Sequence, residues 1–287
     1  MRLMTIEYTG QWQLAIAVGE KLYLPLALKK TFPQKMQALI ADWAVWQPWI
    51  EQNLDQMPSI MLSSAKLLAP IAQPERHLFC IGKNYKDHVN EVQALGYGDV
   101  PEAPIVFAKC NTTVNHPEAT IDTRKDPTGT TDYEGELAVI IGEGGRNIPK
   151  EQALYAVFGY TLINDVSSRA LQRRHGQWFL GKSLDGYAPM GPAIVTADEI
   201  SDVSALRIET RVNGELRQNA QVSNMIFDIA DIIATISQYI SLHPGDIIAT
   251  GTPAGVGAGQ NPPQYLGNHD EVTISVDEIG TLRNYFI

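Results

Sequence analysis

Cysteine is scarce in this chain of 287 residues: Cys80 and Cys110 offer one possible disulfide, with no disulfide framework and no thiolate metal cluster. A reducing compartment is the simpler expectation. No apolar run is long enough to span a bilayer, and Met1-Arg2-Leu3-Met4-Thr5-Ile6-Glu7 lacks the apolar segment of a secretion signal. The expected location is therefore the cytoplasm, with no membrane partner. Basic residues are outnumbered, 22 Lys and Arg against 32 Asp and Glu, for a formal charge of -10. That balance excludes a nucleic-acid backbone as a general partner, while local cations can still hold a small anion. The Gly-Lys-Ser/Thr end of a phosphate-binding loop, a dinucleotide fingerprint and an EF-hand loop are all missing.

What remains is a chain with 44% hydrophobic and 19% charged residues, long enough for one large core or a dominant core with a smaller attached domain. Residues 1–75 read as a small N-terminal α+β domain. Strands are expected at Trp12–Val18 and Lys21–Leu24 around Gly19-Glu20, followed by a helical stretch from Pro33 to Ile50. In that stretch Trp43, Trp46 and Trp49 recur every three residues, a packing stripe rather than a ligand site. Residues 76–287 form the main domain. Its short apolar runs, at Leu137–Ile141, Phe158–Ile163, Ala193–Val195, Ala205–Val212, Ile247–Ala249 and Val272–Val276, have too few helices between them for an alternating α/β fold. The expectation is a mainly β sandwich or barrel with peripheral helices. The clearest helix is Met225–Ile240, capped by Ser223 or Asn224 and ended by His243-Pro244-Gly245, with Asp228 and Asp231 solvated.

The chemistry centres on Tyr133-Glu134-Gly135-Glu136, set against Leu137-Ala138-Val139-Ile140-Ile141. A two-residue period puts both carboxylates on one face of a strand, either as a solvated edge or as ligands that a metal ion neutralises. Asp165, ending the neighbouring run from Val157, can bring a third carboxylate to the same rim. Three hard oxygen donors suit Mg²⁺ or Mn²⁺, and Ca²⁺ less well; no histidine is spaced with them as a zinc ligand pair. His88 and Glu91 lie three apart on a short helix after Gly82-Lys83-Asn84-Tyr85 and ending around Gly96. Such a pair is an ordinary surface contact or a carboxylate-oriented base that activates water. Tyr97-Gly98-Asp99-Val100-Pro101 is then a lid or a plain loop. In Gly181-Lys182-Ser183-Leu184-Asp185, Lys182 is a loop lysine or a cation for a substrate carboxylate or enolate, with Asp185 fixing its ammonium group. Arg169 and Gln172 follow Asp165 at helical spacing and can reach the same cleft. Thr252 supplies a hydroxyl within Thr250-Gly251-Thr252-Pro253-Ala254-Gly255.

In this order, Cys80-Ile81-Gly82-Lys83-Asn84-Tyr85, Glu134-Gly135-Glu136-Leu137, Asn164-Asp165-Val166-Ser167-Ser168-Arg169, Gly181-Lys182-Ser183-Leu184-Asp185 and the segment from Pro244 to Gly257 resemble the fumarylacetoacetate hydrolase family. The likeness is to its acylpyruvate hydrolase and 2-hydroxyhepta-2,4-diene-1,7-dioate isomerase branch. It implies a mixed β-roll, a homodimer and a small N-terminal domain. It also implies Glu134, Glu136 and Asp165 as metal ligands, Lys182 as an active-site cation and His88 with Glu91 as the water-activating pair. Thr252 matches a substrate-contacting threonine, and Tyr85, Arg169, Gln172 and Asp185 complete the candidate substrate-binding set. Lys83 stands where Arg is frequent and Cys110 where Pro is common, which bears on pocket shape. The implied reaction is metal-dependent hydrolysis of a carbon-carbon bond in a 2,4-dioxo acid such as an acylpyruvate, through an enolate. Decarboxylation of oxaloacetate and isomerisation or tautomerisation of an unsaturated 2-oxo or 2-hydroxy diacid are the enzymatic alternatives. A metal-stabilised binding or scaffold module is the non-enzymatic one.

Overall fold

The most apolar run of the chain becomes an interior strand of its largest sheet. In the computed structural model, which describes residues 1–93 and 100–287, every residue of the strand Gly135–Ile141 is buried. Its alternate side chains enter two different cores, as the pleat of a strand requires. Leu137, Val139 and Ile141 belong to one cluster; Ala138 and Ile140 belong to the other. Each large aliphatic side chain so enclosed contributes roughly 1.5–3 kcal/mol relative to exposure.

Antiparallel neighbours flank this strand: Val157–Asn164 on one side and Ile247–Ala249 on the other. From Ile247–Ala249 the sheet passes to Leu78–Gly82, which runs parallel to it, and ends at Ile105–Lys109. From Val157–Asn164 it passes through Ala188–Thr196 to Arg2–Tyr8, Gln11–Val18, Lys21–Tyr23 and Ser59–Met61. Residues 1–75 therefore extend the main sheet, with Leu3 paired to Ile194 and Thr5 Oγ1 donating to the carbonyl of Pro70. A second sheet, ordered Glu215–Gln221, Arg207–Val212, Glu271–Val276, Gly280–Phe286 and Thr120–Ile121, covers the first across the cluster that holds Leu137 and Val139. The fold is mainly β with peripheral helices, as the spacing of apolar runs predicts.

Two helices differ from expectation. The stretch from Pro33 to Ile50 is split into Met36–Ala41 and Trp43–Asn53. Asp42, at φ -107° and ψ 27°, leaves the helical conformation, and its carbonyl accepts the first hydrogen bonds of the second helix, from Val45 and Trp46. The break turns the tryptophan stripe inward: Trp43 meets Phe158 edge-on, and Trp46 and Trp49 pack on Phe32. The helix expected at Met225–Ile240 spans Ile229–Tyr239, with Asp228 as its cap in place of Ser223 or Asn224. Asp228 wins because its carboxylate accepts the Asp231 N–H at 2.7 Å, while Val222–Asn224 is used in a separate 3-10 turn. Lys150 bridges Asp228 and Asp231. Asp228→Ala is expected to lose about 1 kcal/mol from the cap, a fall in Tm of roughly 2–4 °C by differential scanning calorimetry. An unchanged Tm contradicts the assignment.

Among the described residues, no helix is long and apolar enough to cross a membrane, and both cysteines are free.

Candidate active site

The strand Gly135–Ile141 carries Glu136, and the residue just before it is Glu134. Register sets the third acid: Gly135 pairs with Asn164, so Asp165 falls beside Glu134, its N–H donating to the Glu134 carbonyl at 2.9 Å. Asn164 Oδ1 accepts the Glu134 N–H and locks this corner. One carboxylate oxygen from each of Glu134, Glu136 and Asp165 lies within 4.8 Å of the others. All three are buried, so the solvated-edge reading of the glutamates is set aside.

Buried carboxylates need compensation. Lys182 Nζ donates to Glu134 Oε2 and Asp165 Oδ2, both at 2.6 Å. Arg169 Nη1 donates to Glu134 Oε1, and its Nε to Asp132 Oδ2 at 2.8 Å. Lys109 Nζ, fully buried, sits 2.7 Å from Asp165 Oδ1 while donating to the Val166 carbonyl. Asp165 Oδ1 is thus compensated by the charge of Lys109 alone, with no further partner among the described residues. A hard divalent cation is the species such an oxygen suits, and the all-carboxylate donor set agrees with it. Burial raises the Glu134 pKa, but Lys182, Arg169 and then His88 outweigh it and hold the carboxyl at about 2. Glu136 moves the other way: burial and the charges of Asp165 and Glu134 push it well above the usual range. Against the pull of burial, Asp165 and Glu134 raise Lys182, keeping it an ammonium.

The base candidate comes from a different element. His88 lies on the helix Lys86–Gln93, and its Nδ1 is 3.2 Å from Glu91 Oε2. The helix cannot be followed to Gly96, because 94–99, and with them Tyr97, Gly98 and Asp99 of the proposed lid, lie outside the described residues. Glu91 is itself held, Oε1 accepting the Gly255 N–H at 2.9 Å. With Nδ1 donating to Glu91, the His88 Nε2 lone pair is left for chemistry.

One cleft joins these parts, lined by His88, Glu134, Arg169, Gln172, Lys182 and Thr252 together with Lys83, Phe107 and Trp178. Two expected members sit elsewhere. Asp185 is exposed, and it does not fix the Lys182 ammonium; Glu134 and Asp165 do, because strand register sets those two acids side by side within reach of it. Tyr85 is buried beneath a neighbouring hollow with Asn219, Asn224 and Pro253, its hydroxyl without a hydrogen-bond partner among the described residues. Thr252 lines the cleft, but its hydroxyl already donates to the Gly135 carbonyl and accepts from Gln218 Nε2.

Asp132, Lys109 and Gln218 were not among the residues singled out from the sequence. Asp132 continues the two-residue carboxylate period backwards from Glu134 and Glu136, a signal that was available. Lys109 follows an apolar run, where a lysine is ordinarily a strand end. Gln218 comes from the second sheet, donating to Thr252 Oγ1 and the Pro253 carbonyl and accepting the Gly135 N–H. Nothing in its local sequence marks that reach.

The family model for the fumarylacetoacetate (FAA) hydrolase C-terminal region matches residues 77–287. An oxaloacetate tautomerase, YisK, of Bacillus subtilis (strain 168) is 48% identical over 238 residues, 82% of this chain and 78% of the relative. A fumarylacetoacetate hydrolase from psychrophilic Exiguobacterium antarcticum matches with a TM-score of 0.85 and 38% identity, over 100% of this chain and 99% of its own. A maleylpyruvate hydrolase from Sphingobium sp. SYK-6, in complex with manganese (II) ion and pyruvate, matches with a TM-score of 0.82 and 28% identity, covering 100% and 99%.

Proposed function

Since the chain belongs to the fumarylacetoacetate hydrolase family, we propose that it moves a proton at the carbon next to the 2-oxo group of a small 2-oxo diacid, interconverting keto and enol forms of an oxaloacetate-like substrate. The observation that carries this reading is the opening of the Glu91-oriented His88 onto the same cleft as Glu134 and Lys182. The likeness to an oxaloacetate tautomerase supports the choice of reaction.

Glu134, Glu136 and Asp165 would hold Mg²⁺ or Mn²⁺, whose Lewis acidity polarises a 2-oxo group and offsets enolate charge. His88 Nε2 takes the C3 proton while the C–H electron pair passes towards O2. Return of the proton to O2 gives the enol, and its return to C3 restores the ketone. Glu91 holds the imidazole in one tautomer and stabilises its protonated form. Lys182 acts as a donor and a fixed charge rather than a base, because Asp165 and Glu134 keep it protonated. Arg169 and Gln172 line the substrate side, while Arg169 also holds Glu134 in place.

Hydrolysis is the second reading, supported by the likeness to a maleylpyruvate hydrolase. There His88 would draw a proton from water, hydroxide would add to the C4 carbonyl of a 2,4-dioxo acid, and the C3–C4 electron pair would leave as a pyruvate enolate. A panel with Mg²⁺ separates the two. Loss of the enol absorbance of oxaloacetate without release of pyruvate or CO₂ supports tautomerisation; release of pyruvate from acylpyruvates, with no effect on oxaloacetate, overturns it.

Gly259 supplies a further check on the pair. A Cβ there would lie 2.2 Å from Glu91 Oε1, so Gly259→Ala must displace the carboxylate that orients His88. Turnover is expected to fall about tenfold or more, at the low end of a general-base contribution, with Mn²⁺ affinity unchanged by isothermal titration calorimetry. Full activity in this variant contradicts the role given to Glu91.

A further inference from the structure

The metal-ligand segment and the base helix are far apart in sequence, yet one loop is gripped by both. Residues 255–259 follow the strand Ile247–Ala249 and its Thr252 turn. From the side of the carboxylates, Tyr133 Oη donates to the Gly255 carbonyl at 2.7 Å. Asp132 Oδ1 accepts the Gly257 N–H at 2.7 Å, and its Oδ2 accepts the Ala258 N–H at 2.9 Å. From the other side, the Gly255 N–H holds Glu91, and Gly259 leaves only a glycine's width for the Glu91 carboxylate. Gly255 has no slack of its own: at φ 108° its backbone favours glycine, and a Cβ would lie 1.9 Å from the Arg217 carbonyl oxygen.

We propose that Asp132 and Tyr133 are positioning residues that set the His88–Glu91 pair against the carboxylate cluster, acting through the loop 255–259. The two precede Glu134 directly, so the segment that presents the metal ligands also sets where the base stands. Asp132 acts on both halves at once, because Arg169 Nε donates to it while Arg169 Nη1 holds Glu134. Tyr133 acts on the base half alone; its one side-chain hydrogen bond among the described residues is to Gly255. A fixed carboxylate matters because a misplacement of about 1 Å in a catalytic constellation can cost on the order of 100-fold in rate.

Tyr133→Phe removes only the hydroxyl and keeps the ring in the core, so the variant is expected to fold. The inference rests on the proposed base role of His88, and the test therefore has two arms. In amide hydrogen exchange, the Gly255, Gly257 and Ala258 N–H groups of the Tyr133→Phe protein should exchange about tenfold faster, the equivalent of roughly 1.4 kcal/mol at this loop. This arm needs no substrate. Unchanged exchange overturns the inference even if the enzyme is an active tautomerase. In kinetics with Mg²⁺ and oxaloacetate, kcat should fall about tenfold while KM and Mn²⁺ affinity stay within about twofold, since the hydroxyl touches neither substrate nor ligands. In a Glu91→Ala background the same substitution should change kcat by less than about twofold, because the loop then has no carboxylate to place. An undiminished tenfold loss in that background identifies a merely structural tyrosine and overturns the proposal. A wild type inactive on every oxo acid of the panel refutes the tautomerase reading, and the exchange arm still decides the positioning role.

Discussion

His88→Ala is expected to lower turnover of a 2-oxo diacid by about 100- to 10,000-fold, the range of a positioned general base. The loss should appear in kcat and in kcat/KM together, because the imidazole is used in the transition state rather than in holding the ground state. Mn²⁺ affinity should be preserved, as His88 bonds to Glu91 and to no carboxylate of the cluster. Glu91→Gln should have a smaller effect than His88→Ala, because an amide can still hold the imidazole but offers no charge to its protonated form. If His88→Ala retains near-normal turnover, proton transfer belongs to another group. Lys182 is not a substitute, since it stays an ammonium between Glu134 and Asp165.

Arg169→Met should be the most destabilising single change at the site. Arg169 is nearly enclosed and compensates two buried acids, so its loss leaves Asp132 and Glu134 each short of a cation. Removal of one partner from a buried pair typically costs about 3–5 kcal/mol, or a Tm lower by roughly 10 °C for a chain of this size. The metal-free protein should suffer most. A divalent ion at Glu134 replaces part of the missing charge, so saturating Mg²⁺ should recover part of the lost Tm in the variant. Calorimetry with and without Mg²⁺ checks both statements. A variant as stable as the wild type without Mg²⁺ contradicts the account of how the acids are held.

Much of this site could be read from side-chain types and spacing, and the remainder depended on register and on distant chain. Glu134 and Glu136 announce themselves because two acids against a continuous apolar run are costly without a partner. Asp165 follows from the end of the adjacent run, and the strand pairing of Gly135 with Asn164 places it as that reasoning requires. His88 and Glu91 share a helix face by spacing alone, and their contact is made at 3.2 Å. The cations were less legible. Lys182 was expected to be fixed by Asp185, three residues away, but its partners are 48 and 17 residues distant. Lys109 and Gln218 carry no local pattern at all, since a lysine at a strand end and a glutamine on a sheet are ordinary until the fold brings them to Asp165 and Gly135. Among the elements, strands were better read than helix ends. A strand such as Ile247–Ala249 is marked by its composition, whereas the break at Asp42 and the cap at Asp228 turn on single backbone conformations.

Every reaction proposed here, whether tautomerisation or carbon-carbon cleavage, passes through an enolate formed between the carboxylate cluster and His88. Enolate formation can be measured without knowing the physiological substrate. Pyruvate in D₂O, followed by proton NMR with wild-type protein and Mg²⁺, should lose its methyl protons to solvent deuterium faster than in buffer with Mg²⁺ alone. The account predicts that the exchange stops on chelation of the metal and is absent in His88→Ala. Methyl exchange at the buffer rate with the Mg²⁺-loaded wild type, or exchange at the wild-type rate in His88→Ala, would contradict it.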